Sequence, residues 1–421
     1  MKGMVRKTVL SNGVRILTES LPQAYSVSVG IWVDTGSRDE RAEEHGISHF
    51  IEHMIFKGTQ RRTALDIARE MDALGGLSNA FTSKEQTCYY TRVLEKHLPQ
   101  ALDILLDIFL HSQFDPQELE RERQVILQEI GMVEDTPDEY IHVLLNEAAY
   151  DGDPLARDIL GTPQTVQAID RGKIFDYLER TYTADKIVVA AAGPVDHDAF
   201  VNLTAPALNA LPPCPDSRER TDPLLHHRSQ GVAKELEQVH LAWAAPAPAD
   251  NDPRRYTAAL FNVVMGGNMS SRLFQEVREK RGLAYSIYSF HSPYRRTGLW
   301  GICTAVAPEK VDQALEVIGG ELRRVKTEGL SLKELEAAKE YARGGLLLGA
   351  ESTENRMNRI AKNELIFGRE LPLEEVLAAV SKVTVADVLS LAEEILQGDR
   401  CCLVSLGPVD PSKLPSPAAI L

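Results

Sequence analysis

His49 and His53 stand four residues apart in the run His45-Gly46-Ile47-Ser48-His49-Phe50-Ile51-Glu52-His53-Met54. On a helix, positions i and i+4 share a face, so both imidazoles can reach one metal ion. Glu52, three residues after His49, lies near the same face and can hold a metal-bound water. The order H-x-x-E-H reverses the H-E-x-x-H pattern of metal-dependent hydrolases. A hydrolytic centre of this kind takes a third protein ligand, a His, Asp or Glu on another element. The segment 115–134 predicts a long helix, opening Asp115-Pro116-Gln117-Glu118 like a capped N-terminus with proline in the first turn. It carries Glu118, Glu120, Glu122, Glu129 and Glu134. A solvated acidic face is the ordinary account of such a helix. Val125, Ile126, Ile130 and Val133 interleave with these carboxylates, however, so at least one of them must border the core. Spacing alone leaves open which glutamate it is.

The elements that must position these groups follow from hydrophobic period and turn chemistry. Thr8-Val9-Leu10 and Val14-Arg15-Ile16-Leu17 flank Ser11-Asn12-Gly13 as a hairpin. Residues 26–33 alternate with period two, as a half-buried strand does. Gly36-Ser37-Arg38-Asp39-Glu40 reads as a loop, followed by the histidine-bearing helix from near His45 to near Gly58. Helices are expected over 63–74, stopped by Gly75-Gly76, over 95–111 and over 138–149. Residues 77–90 have strand-like ends and a polar middle. A stretch rich in proline and charge, Leu211-Pro212-Pro213-Cys214-Pro215-Asp216, falls near the midpoint and reads as a linker. Beyond it, 237–243 and 284–290 read as strands and 254–266 and 271–281 as helices.

The two halves resemble each other. Glu95-Lys96-His97-Leu98-Pro99-Gln100-Ala101-Leu102 parallels Glu309-Lys310-Val311-Asp312-Gln313-Ala314-Leu315, and Glu118-Leu119-Glu120 parallels Glu334-Leu335-Glu336 at nearly the same offset. A tandem duplication of about 210 residues accounts for this. The expected division is 1–211 as a metal-binding domain, 212–230 as linker and 231–421 as a homologous domain. Asn262-Val263-Val264-Met265-Gly266 falls where the second copy would carry the histidines, so the metal site belongs to the first half alone. Each half is expected to be α+β, a mainly antiparallel sheet with helices packed on one face.

The 421 residues are 43% hydrophobic and 25% charged, the balance of an ordinary globular protein. The net charge of −15 argues against a general nucleic-acid binder and leaves room for an acidic cavity that attracts basic peptides. Five scattered cysteines, Cys88, Cys214, Cys303, Cys401 and Cys402, form no C-x-x-C pair. A reducing, cytoplasmic setting without a disulfide framework is therefore expected. No signal-peptide pattern is visible at the N-terminus, and no apolar run is long enough to span a membrane.

Taken with Glu129, seventy-six residues after His53, the motif resembles the inverzincin pattern of the pitrilysin/insulinase family of zinc peptidases. The chain is similar over essentially its full length to bacterial members related to mitochondrial processing peptidase. The resemblance is carried by Asp34-Thr35-Gly36-Ser37-Arg38, by Glu52-His53-Met54-Ile55-Phe56-Lys57-Gly58-Thr59, by Asn79-Ala80-Phe81-Thr82-Ser83-Lys84-Glu85-Gln86-Thr87 and by Arg121-Glu122-Arg123-Gln124-Val125-Ile126-Leu127-Gln128-Glu129. In the second half Ser270-Ser271-Arg272-Leu273-Phe274 and Arg278-Glu279-Lys280-Arg281-Gly282-Leu283-Ala284-Tyr285 match as well.

That resemblance implies one Zn2+ per chain held by His49, His53 and Glu129. It implies Glu52 as general base and Glu122 as the carboxylate that orients a ligating histidine. It implies a peptide substrate bound as an added strand along Ser78, Asn79, Ala80 and Phe81, with Phe56 lining the pocket after the cleaved bond. Arg278 and Tyr285 match a pair that hydrogen-bonds the substrate carbonyl or the developing oxyanion. Longer relatives close four such domains around the site, and this chain has two, so a homodimer with the pair supplied by the partner is implied. Some relatives split the two sets between different chains, and some keep the fold as non-catalytic subunits. Glu139 matches the first of two acidic positions that recognise a substrate arginine in the processing peptidase. Val143 stands at the second, which weakens the expectation of that specificity.

Overall fold

A computed structural model describes residues 3–213 and 220–421. Residues 214–219 of the expected linker, Cys214 among them, lie outside the described residues. The first half runs β1 (Met4–Val9), β2 (Arg15–Ser20), β3 (Ser26–Val33), α1 (Ile47–Met54), α2 (Ala64–Ala73), β4 (Leu77–Thr82), β5 (Thr87–Leu94), α3 (Leu98–His111), α4 (Pro116–Glu134), α5 (Pro137–Ala149), α6 (Pro163–Ala168), α7 (Arg171–Thr181), β6 (Ile187–Gly193) and α8 (His197–Leu208). The second continues with β7 (Arg228–Ala233), β8 (Val239–Pro246), α9 (Arg255–Gly266), β9 (Ala284–Pro293), β10 (Gly298–Val306), α10 (Val311–Glu328), α11 (Leu332–Gly349), α12 (Thr353–Phe367), α13 (Leu373–Lys382), α14 (Val385–Ile395) and β11 (Cys402–Gly407). The helix expected over 271–281 is a short, wide π-helical turn, Phe274–Glu279.

The duplication is visible in strand order. One sheet runs β1-β2-β6-β3-β5-β4 and the other β7-β11-β8-β10-β9. Setting β1 aside, the two match strand for strand. β2 and β6 pair in parallel, as do β7 and β11, and every later neighbour is antiparallel. The class is α+β.

Helices cover both faces of each sheet, which the one-face expectation did not include. β3 shows why: from Val27 onward every residue of Ser-Val-Ser-Val-Gly-Ile-Trp-Val is buried, so neither face meets water. One face of the first sheet, through Leu17, Trp32, Cys88, Val188 and Ala190, packs on Met357, Ile360, Ala361 and Leu365 of α12. Their spacing is that of a single helical stripe. In the second sheet, Ala242, Leu299, Cys303 and Val404 pack in the same way on Ile141, Leu144, Leu145 and Ala148 of α5.

The compact units therefore interleave along the chain. The first comprises the described residues up to Gly131, those from Arg157 to 213, and Leu347–Leu371. The second comprises Met132–Ala156, Arg220–Leu346 and Pro372–Leu421. Within the first, α12 is tied to β2 by charge as well as by packing. Glu19, 2% exposed, accepts hydrogen bonds from the guanidinium groups of both Arg356 and Arg359.

Candidate metal centre

Helix α1 carries His49, Glu52 and His53. It begins at Gly46, whose φ of +93° is left-handed, and a Cβ there would meet the Leu160 carbonyl at 2.6 Å. Glycine thus serves both the turn and the close approach. Ile47, Phe50, Ile51 and Met54 are fully buried and fix the helix on the core, while His53 and Glu52 stay partly exposed.

Helix α4 supplies the facing carboxylates. Glu129 Oε2 lies 3.7 Å from His49 Nε2 and 3.6 Å from His53 Nε2, and the two rings meet edge-on with centroids 4.6 Å apart. The ligand atoms of His49, His53 and Glu129 all lie within 4.8 Å of one another, and among the described residues this is the group that could hold a metal ion. Donors about 2.1 Å from a tetrahedral ion stand about 3.4 Å apart, and the two separations from Glu129 Oε2, 3.6 and 3.7 Å, are close to that. Burial, helped by the neighbouring His53, drives His49 down to about 3, which keeps it the neutral imidazole that a metal requires.

Glu122 takes a different place. Its Oε2 is 3.1 Å from His53 Nδ1, the ring nitrogen turned away from Glu129, and its Oε1 is 2.5 Å from Lys57 Nζ. Glu52 Oε2 is buried with no hydrogen-bond partner. Burial raises the Glu52 carboxyl above its ordinary range, opposed by a hydrogen bond with Thr82 at the end of β4. A carboxylate in that condition is suited to accept and release a proton.

β4 forms the edge of its sheet, paired with β5 on one side. Ser78 Oγ donates to Thr91 Oγ1, and Asn79 is exposed. Phe81 packs against Tyr90 and joins the α12-side cluster, so its side chain belongs to the core while its backbone stays on the edge strand. Phe56, just past the end of α1, is half-buried.

Arg278, Tyr285 and Glu139 belong to the second unit. The Arg278 guanidinium sits over the Tyr285 ring at 5.1 Å and the Phe274 ring at 4.7 Å. Tyr285 is 83% exposed, so its hydroxyl is open to a ligand. Glu139 is exposed on α5.

Three residues bear on the site that sequence reasoning did not single out. Lys57 neutralises Glu122, Thr82 touches Glu52, and Glu40 joins the start of α1. Glu40 stood within a segment read only as a loop. Its signal would have been a carboxylate a few residues before a helix that has no capping side chain of its own.

The comparisons with known proteins agree with this architecture. A solved structure from Pseudomonas fluorescens, titled a peptidase M16 inactive domain, superposes with a TM-score of 0.90 at 21% identity, covering 96% of this chain and 98% of that one. A protease from Helicobacter pylori superposes with a TM-score of 0.88 at 20% identity, covering 96% and 99%. At those identities the likeness defines the fold.

Sequence carries it further. The family model for insulinase (peptidase family M16) matches residues 15–163, which include His49, His53 and Glu129, and that for the peptidase M16 inactive domain matches residues 168–341. The zinc protease YmxG of Bacillus subtilis is 40% identical over 94% of this chain and 97% of its own. A zinc protease of Rickettsia felis is 35% identical over 97% and 99%. The chain belongs to the insulinase family of peptidases, peptidase family M16.

Proposed function

We propose that the chain is a zinc-dependent endopeptidase holding one zinc ion between His49, His53 and Glu129. The observation that supports this most is the convergence of ligand atoms of His49, His53 and Glu129 within 4.8 Å of one another, with Glu129 Oε2 3.7 and 3.6 Å from the two Nε2 atoms. When bound, zinc supplies an electrophilic centre and lowers the pKa of a coordinated water towards about 7. The chain's own groups do the rest. Glu122 accepts a hydrogen bond from His53 Nδ1–H and so leaves Nε2 to face the metal. The Glu52 carboxylate takes a proton from the attacking water and delivers it to the departing amine nitrogen.

The substrate in this reading is a peptide or unfolded segment that pairs with the open edge of β4 as an added strand. Backbone pairing gives affinity with little sequence preference. Phe56 borders the position after the cleaved bond, and Glu139 favours a basic side chain. Arg278 and Tyr285 donate hydrogen bonds to the scissile carbonyl oxygen in the site of a second copy, so the working form is a homodimer in the cytoplasm. No helix among the described residues is long and apolar enough to cross a membrane.

Zinc content and cleavage of a quenched peptide, with and without chelator, test this reading. Cleavage lost on chelation and restored by zinc is the expected result. A protein that neither binds zinc nor cleaves after zinc is added would instead be a peptide-binding or assembly subunit that keeps the fold. The Glu52→Gln protein should retain its zinc and lose turnover.

A further inference from the structure

The best-anchored end of α1 is held by a residue that touches no metal ligand. Glu40 is 3% exposed and lies six and eight residues before the groups it binds. Its Oε2 accepts the Gly46 N–H at 2.8 Å, and its Oε1 accepts the Ser48 N–H at 2.9 Å. Gly46 is the N-cap of α1 and Ser48 lies in its first turn, where backbone donors have no partner within the helix. Gly46 at the cap position has no side chain to serve them, so Glu40 does so from outside.

The ties around this carboxylate are mutually reinforcing. Arg157 Nη1 donates to the Glu40 carbonyl, and His45 Nε2 lies 2.5 Å from the Asp158 carbonyl. The Ser48 hydroxyl meets the Tyr177 hydroxyl at 2.8 Å, and Tyr177 lies 3.4 Å from Thr35 Oγ1. One side of the turn is thereby fixed to the loop at 157–161 and the other to α7. Burial pushes Glu40 up to about 8, against the pull of the Ser48 and Gly46 amides and of Arg157. A carboxylic group so costly to bury needs a return.

We infer that Glu40 is a positioning residue for the metal centre: by bonding the amides of the N-cap and the first turn, it sets the rotation and axial position of α1. His49 follows Ser48 directly, and Glu52 and His53 lie one turn on. With only two turns in the helix, play at the first turn is passed to all three functional side chains. Both histidine Nε2 atoms must keep their spacing to Glu129 on another helix, so a small rotation of α1 opens the triad. The inference rests on the metal-centre reading for its consequence, and on the two amide bonds for its mechanism.

The test compares Glu40→Gln and Glu40→Ala with Ile360→Ala, a core substitution in α12 on the far face of the sheet. Hydrogen exchange in the peptide covering 47–54, measured on the metal-free protein, reads the mechanism directly. About tenfold faster exchange is expected in Glu40→Gln and more in Glu40→Ala, with no selective change in Ile360→Ala. Zinc affinity by chelator competition should fall about tenfold or more in both Glu40 variants. Turnover should fall in kcat with KM little changed. Unchanged exchange in 47–54, or changes equal to those of Ile360→Ala at matched Tm, overturns the inference. A wild-type protein that binds no zinc refutes the peptidase reading instead, and the metal-free exchange result still decides the role of Glu40.

Discussion

His53 is held from both sides of its ring: Glu122 Oε2 lies 3.1 Å from Nδ1, and Glu129 Oε2 lies 3.6 Å from Nε2. Two glutamates seven residues apart on one helix therefore meet opposite edges of the same imidazole. They should have different phenotypes. Glu129→Gln removes a charged ligand and should abolish tight zinc binding. Glu122→Gln leaves three ligands and should weaken zinc affinity by about 10–100-fold. Isothermal titration against zinc separates the two, and equal losses would contradict the division of roles.

Lys57 extends that relationship. Its ammonium lies 2.5 Å from Glu122 Oε1 and holds in place the carboxylate whose other oxygen meets His53 Nδ1. Lys57→Met should act in the same direction as Glu122→Gln and add little to it, because both act through one group. A double-mutant cycle on zinc affinity checks this, and full additivity would argue against it.

Arg278 and Tyr285 make a complementation experiment possible. Glu52→Gln and Arg278→Ala proteins should each be inactive alone, and mixing them should restore up to about a quarter of the wild-type sites in randomly formed dimers. Tyr285→Phe keeps the ring under Arg278 and loses only the hydroxyl, so its kcat should fall by about 10–1,000-fold. No recovery on mixing would count against sharing of the site between two chains.

The Arg272–Glu334 pair gives a pH signature in the second unit. Arg272 donates to both oxygens of Glu334, at 2.7 and 3.0 Å, and with help from Ser331 holds that carboxyl down at about 2. A carboxyl depressed in the folded state stabilises above its unfolded value, near 4.5, and the contribution is lost as pH falls towards 2. The stability advantage of wild type over Glu334→Gln should be constant near neutrality and shrink below about pH 4.5. Urea midpoints at pH 7, 4.5 and 3 measure it, and an advantage that grows on acidification would refute the assignment.

Removing Arg356 leaves Glu19 buried with Arg359 as its remaining partner. Arg356→Ala should destabilise the protein by about 3 kcal/mol, since an undercompensated buried charge costs more than the pair contributes. Exchange protection in α12 should fall first, as α12 loses one of its charged ties to β2. A loss below about 1 kcal/mol would show that Arg359 alone satisfies Glu19.

What could be read from the chain alone was local. Four-residue spacing gave His49 and His53 a common face, because the helical period is fixed by backbone geometry whatever surrounds it. Alternation and turn residues marked β3 and the β1–β2 hairpin, and the parallel between Glu118-Leu119-Glu120 and Glu334-Leu335-Glu336 pointed to the repeat that strand order displays. The choice between Glu122 and Glu129 could not be read in this way, since both lie on one face of α4. It depends on where α4 crosses α1. Nor could the chain announce that α5 covers the second sheet and α12 the first. An apolar stripe states that a helix face is buried, and says nothing of which sheet buries it. Glu40 belongs to the same class: a carboxylate in a loop becomes a helix cap only when the fold brings two amides to it. Period and turn chemistry act between neighbours in sequence, whereas these pairings are decided by contacts between segments far apart in the chain, which only the tertiary structure fixes.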